Sequence, residues 1–190
     1  MSDYREDIEK SIEVLRKGGL ILYPTDTIWG IGCDATNPQA VEAVYKLKER
    51  SESKSMLVLL DSVEMLERYC EDVPEVALQL IELSEKPCTL VLDGAIGLAS
   101  NLIASDGSVG MRVSRDDFSK TLIKRFGRPL VSTSANVSGE ETAACFAQIA
   151  DKIKEGVDYV VKWRQEDTSE HAPSSVIKIS SDGEFKILRK

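Results

Sequence analysis

The stretch from residue 129 to residue 139 reads Pro129-Leu130-Val131-Ser132-Thr133-Ser134-Ala135-Asn136-Val137-Ser138-Gly139. It begins as an apolar strand and then carries four hydroxyls and a carboxamide. A buried strand normally has Val, Ile or Leu at such positions, because an unpaired hydroxyl removed from water costs about 1–3 kcal/mol. We therefore expect a strand whose polar side chains face a ligand. The alternative is a strand that enters a Ser/Asn-rich turn, with Ser138 and Glu141 forming a capping box.

Residue patterns on either side of this stretch predict both helices and strands. Helices are expected at about residues 5–17, 38–50, 61–69, 74–83, 116–126 and 142–154. Strands are expected at about residues 20–23, 56–60, 88–92, 108–113, from 129 onward, 159–162, 176–179 and 185–188. Asp61 and Glu64 are similar to a capping box for the third helix. Because the two element types do not alternate strictly, the pattern favours a single α/β (α+β) domain over residues 1–190, with a twisted mixed open sheet flanked by helices.

Composition narrows the class of protein. The chain has 190 residues, of which 42% are hydrophobic and 29% charged, so it is long enough for one sizeable core. No apolar run approaches the roughly 18 residues that a membrane span requires, and no signal-peptide pattern is present, so we expect a cytoplasmic protein without membrane contact. The cysteines lack metal-ligand spacing, which predicts reduced thiols and no metal site. The net charge of −8 argues against broad nucleic-acid binding and leaves only a local RNA contact open.

Three cationic residues are candidates for ligand binding. Lys48 and Arg50 lie two residues apart, so a regular helix would point them about 200° apart around its axis. At a helix end the chain can turn both cations into a cleft, although a helix C-terminus also favours solvated cations. Arg112 follows Ser108 and Gly110 on a predicted strand, where its guanidinium either points into a pocket or lies on a sheet edge. The GxGxxG and Walker A phosphate motifs are absent.

Several segments together resemble the YrdC-type threonylcarbamoyl-AMP synthase (L-threonylcarbamoyladenylate synthase) family. They are Tyr23–Gly32 (YPTDTIWGIG), Lys48-Glu49-Arg50, Lys86–Leu92 (KPCTLVL), Ser108–Val113 (SVGMRV), the stretch at residues 129–139, Ser174–Ile177 (SSVI) and Arg189. The resemblance covers nearly the whole chain. It implies a YrdC-like fold and a nucleotidyltransferase that condenses L-threonine, bicarbonate or CO2, and ATP to threonylcarbamoyl-AMP and pyrophosphate. The product would pass to a downstream tRNA threonylcarbamoyl transferase for modification of tRNA adenosine.

The same resemblance implies roles for individual residues. The catalytic pair would be Lys48 and Arg50, which would neutralise the nucleotide phosphates, with a Mg²⁺ ion also bound to those phosphates. The implied ATP-binding residues are Lys48, Arg50, Lys54, Ser108, Ser134, Asn136 and Arg189. The implied threonine-binding residues are Thr27, Arg112, Ser132 and Ser174. The chain departs from many relatives in having Ser51 and Ser55 where they have proline.

Two other functions are consistent with the same motifs. An RNA-binding or regulatory YrdC-like protein would keep the pocket without catalysing the synthesis, although the net negative charge weighs against it. A carbamoyl-transfer relative would act on a different small substrate. The residues imply chemistry by positioning and charge neutralisation, without a covalent nucleophile or an acid–base dyad.

Overall fold

The computed structural model describes residues 4–51, 55–169 and 173–189. The helices are α1 (Arg5–Arg16), α2 (Pro38–Leu47), α3 (Val63–Tyr69), α4 (Glu75–Leu83), α5 (Asp117–Phe126) and α6 (Asp151–Glu155). The strands are β1 (Ile21–Tyr23), β2 (Gly30–Gly32), β3 (Leu57–Leu60), β4 (Cys88–Leu92), β5 (Val109–Val113), β6 (Leu130–Ser134), β7 (Tyr159–Val160), β8 (Ser175–Ile179) and β9 (Phe185–Arg189).

Within the described residues, nine strands form one sheet in the order β7-β1-β2-β6-β3-β5-β4-β8-β9. The pairs β1–β7, β3–β5 and β4–β8 are parallel, and the other neighbours are antiparallel. Helices α3 and α5 pack against the central strands. This arrangement confirms the predicted mixed sheet flanked by helices.

The central strands have two different faces, because successive side chains of a strand point to opposite sides. Leu90 and Leu92 of β4 belong to the hydrophobic core, as do Val109 and Met111 of β5. The intervening residues Thr89, Val91, Gly110 and Arg112 line an open cleft. One face of the sheet therefore provides stability, and the other face carries the polar groups.

Local capping explains where several helices begin and end. The Asn37 side chain accepts hydrogen bonds from the backbone N–H groups of Gln39 and Ala40, and Pro38 occupies the first helical position of α2. At α3 the cap is Ser62, which accepts from the Met65 N–H at 3.2 Å, so the predicted capping box beginning at Asp61 is wrong by one residue. No described helix is long and apolar enough to cross a bilayer.

The predicted helix over residues 142–154 is wrong. The chain instead forms a 3₁₀ turn at Phe146–Gln148, an extended residue at Ala150 (φ −60°, ψ 142°), and then the short helix α6. The Phe146 ring packs against Trp29 with ring centroids 4.8 Å apart. This contact with a residue distant in sequence holds the turn, and a local pattern does not reveal it.

Strand β2 was not predicted, because two of its three residues are glycines, which disfavour strands. The packing around Gly32 explains why glycine is present in this strand. A Cβ atom there would lie 2.6 Å from the Tyr23 ring and 3.1 Å from the Val131 carbonyl oxygen. The strand therefore needs glycine at this position to pair closely with both of its neighbours.

Candidate active site

The open face of the sheet forms a cleft of about 400 Å³, a size typical of small-molecule sites. Side chains from strands on both sides of the sheet centre converge on it. Of the residues predicted from sequence, the cleft is lined by Thr27, Arg50, Arg112, Ser132, Ser134, Ser174 and Arg189. Segments separated by up to 162 positions in the chain, from Thr27 to Arg189, therefore meet at one site.

Arg112 is the most deeply buried cation of the lining, with 3% of its side chain exposed. Its Nη2 atom lies 3.0 Å from Oδ1 of Asp26, whose side chain is 7% exposed, and donates to the Thr27 hydroxyl at 3.3 Å. Its buried Nε has no hydrogen-bond partner among the described residues. Burial lowers the pKa of Arg112, against the opposing effect of Asp26. The guanidinium remains charged, and its Nε–H is a donor that none of the described residues uses.

Thr27 lies on the loop between β1 and β2, and Thr25 fixes the shape of this loop. The Thr25 hydroxyl donates to the Ile28 carbonyl at 2.8 Å and accepts from the Thr27 N–H at 3.1 Å. It also lies 3.0 Å from the Thr27 hydroxyl. These contacts leave Thr27, Ile28 and Trp29 lining the cleft. Asp26, between these two threonines, is the charge partner of Arg112.

The floor of the cleft is built from small residues and hydroxyls. Ser132 of β6 is buried, and its Oγ atom would lie 3.0 Å from a Cβ added to Gly30 of β2. Gly110 of β5 faces Thr89 of β4 and Leu57 of β3. Glycine at position 30 therefore leaves room for the Ser132 hydroxyl, and glycine at position 110 keeps this part of the floor free of a side chain.

One side of the cleft is formed by β8, β9 and the residue before β8, Ser174. The Ser174 and Thr89 hydroxyls lie 2.8 Å apart, and Arg189 Nε donates to the Ser174 carbonyl at 2.9 Å. Val176 pairs with Arg189 and Ile177 pairs with Ile187, so Leu188 is an extra residue that forms a β-bulge. The bulge puts Arg189 on the same face as Val176, and both line the cleft.

Arg50 and Ser134 line another part of the cleft. Arg50 follows α2 and is only partly buried; its Nη2 atom donates to the Ser55 carbonyl at 2.9 Å. Burial lowers the pKa of this guanidinium. The position supports the prediction that the end of α2 turns a cation into a cleft.

Lys48 lies outside the cleft lining. It is 1% exposed, and its ammonium donates to the backbone carbonyls of Ser134 and, at 2.5 Å, Asn136. Its own carbonyl accepts from the Ser138 N–H at 2.8 Å. Burial lowers the pKa of Lys48 to about 8, with a smaller contribution from Arg50. In this structure Lys48 therefore ties the end of α2 to the turn after β6, and its phosphate contact stays a prediction.

Two other predicted ATP-binding residues also lie outside the lining. The Ser108 hydroxyl donates to Asp106 at 2.6 Å, and the Asn136 amide donates to the carbonyls of Val137 and Glu140. These bonds shape turns at the ends of β5 and β6, so their nucleotide contacts stay predictions. Lys54 lies outside the described residues.

Several lining residues have no role predicted from the sequence, including Thr89, Thr133, Thr142 and Trp29. Thr89 had a usable signal, since it is the one polar residue inside the apolar run from Cys88 to Leu92. The ring of Trp29 is held by Phe146, a contact between residues far apart in sequence.

The fold and the cleft define an α/β protein whose mixed sheet carries a polar cleft lined by three arginines, Arg50, Arg112 and Arg189. The chain belongs to the Sua5/YciO/YrdC family, since the family model described as telomere recombination matches residues 13–190. This confirms the family to which the motifs pointed.

Relatives of the chain agree with this assignment. It is 32% identical over 192 residues to the threonylcarbamoyl-AMP synthase of Pseudoalteromonas translucida, covering 100% of both chains. It is similar to the crystal structure of E. coli YciO, with a TM-score of 0.84 and 25% identity, covering 99% of this chain and 90% of that one. It shares the fold of P. abyssi Sua5 complexed with L-threonine, with a TM-score of 0.82 and 23% identity. That alignment covers 92% of this chain and 51% of the P. abyssi chain, so this chain spans about half the length of that protein.

Proposed function

We propose that this protein is an L-threonylcarbamoyl-AMP synthase of the nucleotidyltransferase class. Its substrates would be L-threonine, bicarbonate or CO2, and ATP. The threonine amine forms a carbamate, and a carbamate oxygen then attacks the α-phosphorus of ATP with pyrophosphate leaving. We expect a cytoplasmic enzyme whose product passes to a tRNA threonylcarbamoyl transferase.

The observation that carries this proposal is the environment of Arg112. A nearly buried guanidinium with an unpartnered Nε lies beside the Thr27 hydroxyl, in a cleft also lined by Ser132 and Ser174. Such a group suits a carboxylate, and neighbouring hydroxyls suit the hydroxyl of threonine. The names of the relatives point to the same substrate.

Arg50 supplies positive charge for the phosphates, and the Ser134 hydroxyl supplies a hydrogen bond to the nucleotide. Both line the cleft, so a phosphate can reach them without a change in the sheet. Lys48 would join them only if its ammonium left the Ser134 and Asn136 carbonyls. Catalysis then rests on holding the carbamate in line with the α-phosphorus and on neutralising the charge that develops.

Mg²⁺ would enter as part of the nucleotide substrate. The described lining offers hydroxyl, guanidinium and backbone groups but no carboxylate, which is the ligand that Mg²⁺ prefers. These residues do not fit a protein-bound ion. The chain's own contribution is cationic and hydrogen-bonding.

Threonine-dependent release of pyrophosphate from ATP and bicarbonate tests the proposal. We expect release by the wild-type protein and a loss of about a hundredfold or more in kcat/KM for Arg50→Met, because a charge-neutralising group is removed. Arg125→Met is the matched control, since Arg125 is 47% exposed on the surface and lies 3.6 Å from Glu9. It should leave turnover unchanged.

Mass analysis of the reaction mixture should show the adenylate of threonylcarbamate. The proposed function would be overturned if the wild-type protein formed none of this product and calorimetry showed no heat of binding for threonine or for ATP. RNA retention on filters that persists without such turnover would favour the RNA-binding alternative.

A further inference from the structure

The segment that follows β7 is fixed to α1 by one buried carboxylate. Asp7 accepts hydrogen bonds from the Tyr159 hydroxyl at 2.5 Å, the Lys162 N–H at 3.0 Å and the Trp163 N–H at 2.9 Å. The Trp163 ring also meets the Tyr4 ring edge-on, with centroids 5.3 Å apart. The backbone is therefore held firmly up to residue 163.

Arg164 follows directly and has an unusual backbone conformation. Its φ of 66° lies in the left-handed region, which residues other than glycine rarely adopt. This turn sends the guanidinium back towards the β1–β2 loop. There Nη1 donates to the Thr25 carbonyl at 3.2 Å and lies 3.6 Å from Asp116. On its other side the guanidinium contacts Asp167, at 3.3 Å from both Nε and Nη2.

Asp116, which lies beside the Arg164 guanidinium, is itself held in place. It caps helix α5 by accepting from the Ser119 N–H at 2.8 Å. Arg164 therefore joins a helix start to the loop that carries Thr27, because Thr25 is hydrogen-bonded to both the N–H and the hydroxyl of Thr27. Arg164 is 22% exposed and does not itself line the cleft.

We propose that Arg164 is a positioning residue that holds Thr27 in place for binding the amino-acid substrate. The inference rests on the proposed function, in which this end of the cleft takes threonine. A planar fork is needed here, since one guanidinium contacts a carbonyl on one side and a carboxylate on the other. Removing it would let the loop move, and Thr27 would lose its fixed distance to Arg112.

Three variants separate the guanidinium from the backbone turn. Arg164→Ala removes the side chain, Arg164→Gly removes it while relieving the left-handed strain, and Arg125→Ala is the surface control. We expect both Arg164 variants to raise the KM for threonine about tenfold, the value of one hydrogen bond to a charged group. The KM for ATP should stay unchanged, as should all constants of the control.

Amide hydrogen exchange tests the same role without substrate. The Thr27 N–H should exchange faster in both Arg164 variants, whereas the Ala135 N–H, which donates to the Trp29 carbonyl at the far end of the loop, should keep its protection. The proposal would be overturned if exchange at Thr27 were unchanged, if the KM values for threonine and ATP rose equally, or if Arg164→Gly had the wild-type KM for threonine. A wild-type protein that is inactive with threonine would overturn the proposed function. The exchange measurement would even then test whether Arg164 holds Thr27 in place.

Discussion

Replacing Arg112 with Met removes the cation from a charge pair that is almost excluded from water. The pair joins Nη2 to Asp26 Oδ1 at 3.0 Å, and the side chains are 3% and 7% exposed. Loss of one partner leaves the Asp26 carboxylate buried and uncompensated, which costs about 3–5 kcal/mol. We expect the free energy of unfolding of Arg112→Met to fall by about this amount.

The double variant Asp26→Asn with Arg112→Met removes both charges and should recover much of the lost stability, since a neutral pair has no unpaired charge to desolvate. Threonine binding should not recover. The charge-assisted hydrogen bond from Arg112 to the threonine carboxylate, of about 1.5–3 kcal/mol, would be missing, so affinity should fall about tenfold to a hundredfold in Arg112→Met and in the double variant.

Urea unfolding measures the stability of the wild-type protein, both single variants and the double variant, and calorimetry measures threonine affinity. A double variant as unstable as Arg112→Met would refute the charge-pair argument. If Arg112→Met bound threonine as tightly as the wild-type protein does, the binding role assigned to Arg112 would be refuted. The two measurements therefore test the packing of this residue and its chemistry separately.

Two further predictions follow from the site. Between pH 8 and 10.5 the unfolded chain keeps the Lys48 proton, whereas the folded chain has released it. As pH rises through this range, the free energy of unfolding of the wild-type protein should therefore increase relative to that of Lys48→Met, by about 3 kcal/mol at most. Urea unfolding measures both, and pH profiles that run parallel for the two proteins would contradict this prediction. Gly110→Ala should keep the wild-type Tm, because its Cβ would lie 3.5 Å from Thr89 and 3.6 Å from Leu57. The added methyl group should lower kcat/KM about tenfold by filling the cleft floor, and unchanged kcat/KM would disprove this.

Elements with strong local signals were predicted well. Strand β4 has the predicted bounds Cys88–Leu92, because an apolar run interrupted only by Thr89 is flanked by residues that break strands. Helix α5 begins after its Asp116 cap and ends at Gly127, which has the left-handed φ of 79° typical of a helix stop. In these places the residues that determine the structure are neighbours in the chain.

The predictions fail where contacts between residues distant in sequence determine the structure. Gly32 is needed in β2 by the Tyr23 ring, and Phe146 is held by Trp29. For the site, the motifs pointed to Arg50 and Arg112, which line the cleft, but they did not show that the ammonium of Lys48 turns to the backbone carbonyls. A motif gives the type of residue, whereas the direction of a side chain depends on the packing around it.

The two faces of β4 and β5 have a consequence for how this protein can change. Positions 90, 92, 109 and 111 maintain the hydrophobic core, while positions 89, 91, 110 and 112 face the cleft. Because the two sets alternate, many substitutions on the open face can alter which molecule is accepted without disturbing the packed interior. Arg112 is the exception, since its ion pair with Asp26 links ligand preference to the integrity of the fold. New specificities should therefore evolve more readily at positions 89, 91 and 110 than at 112.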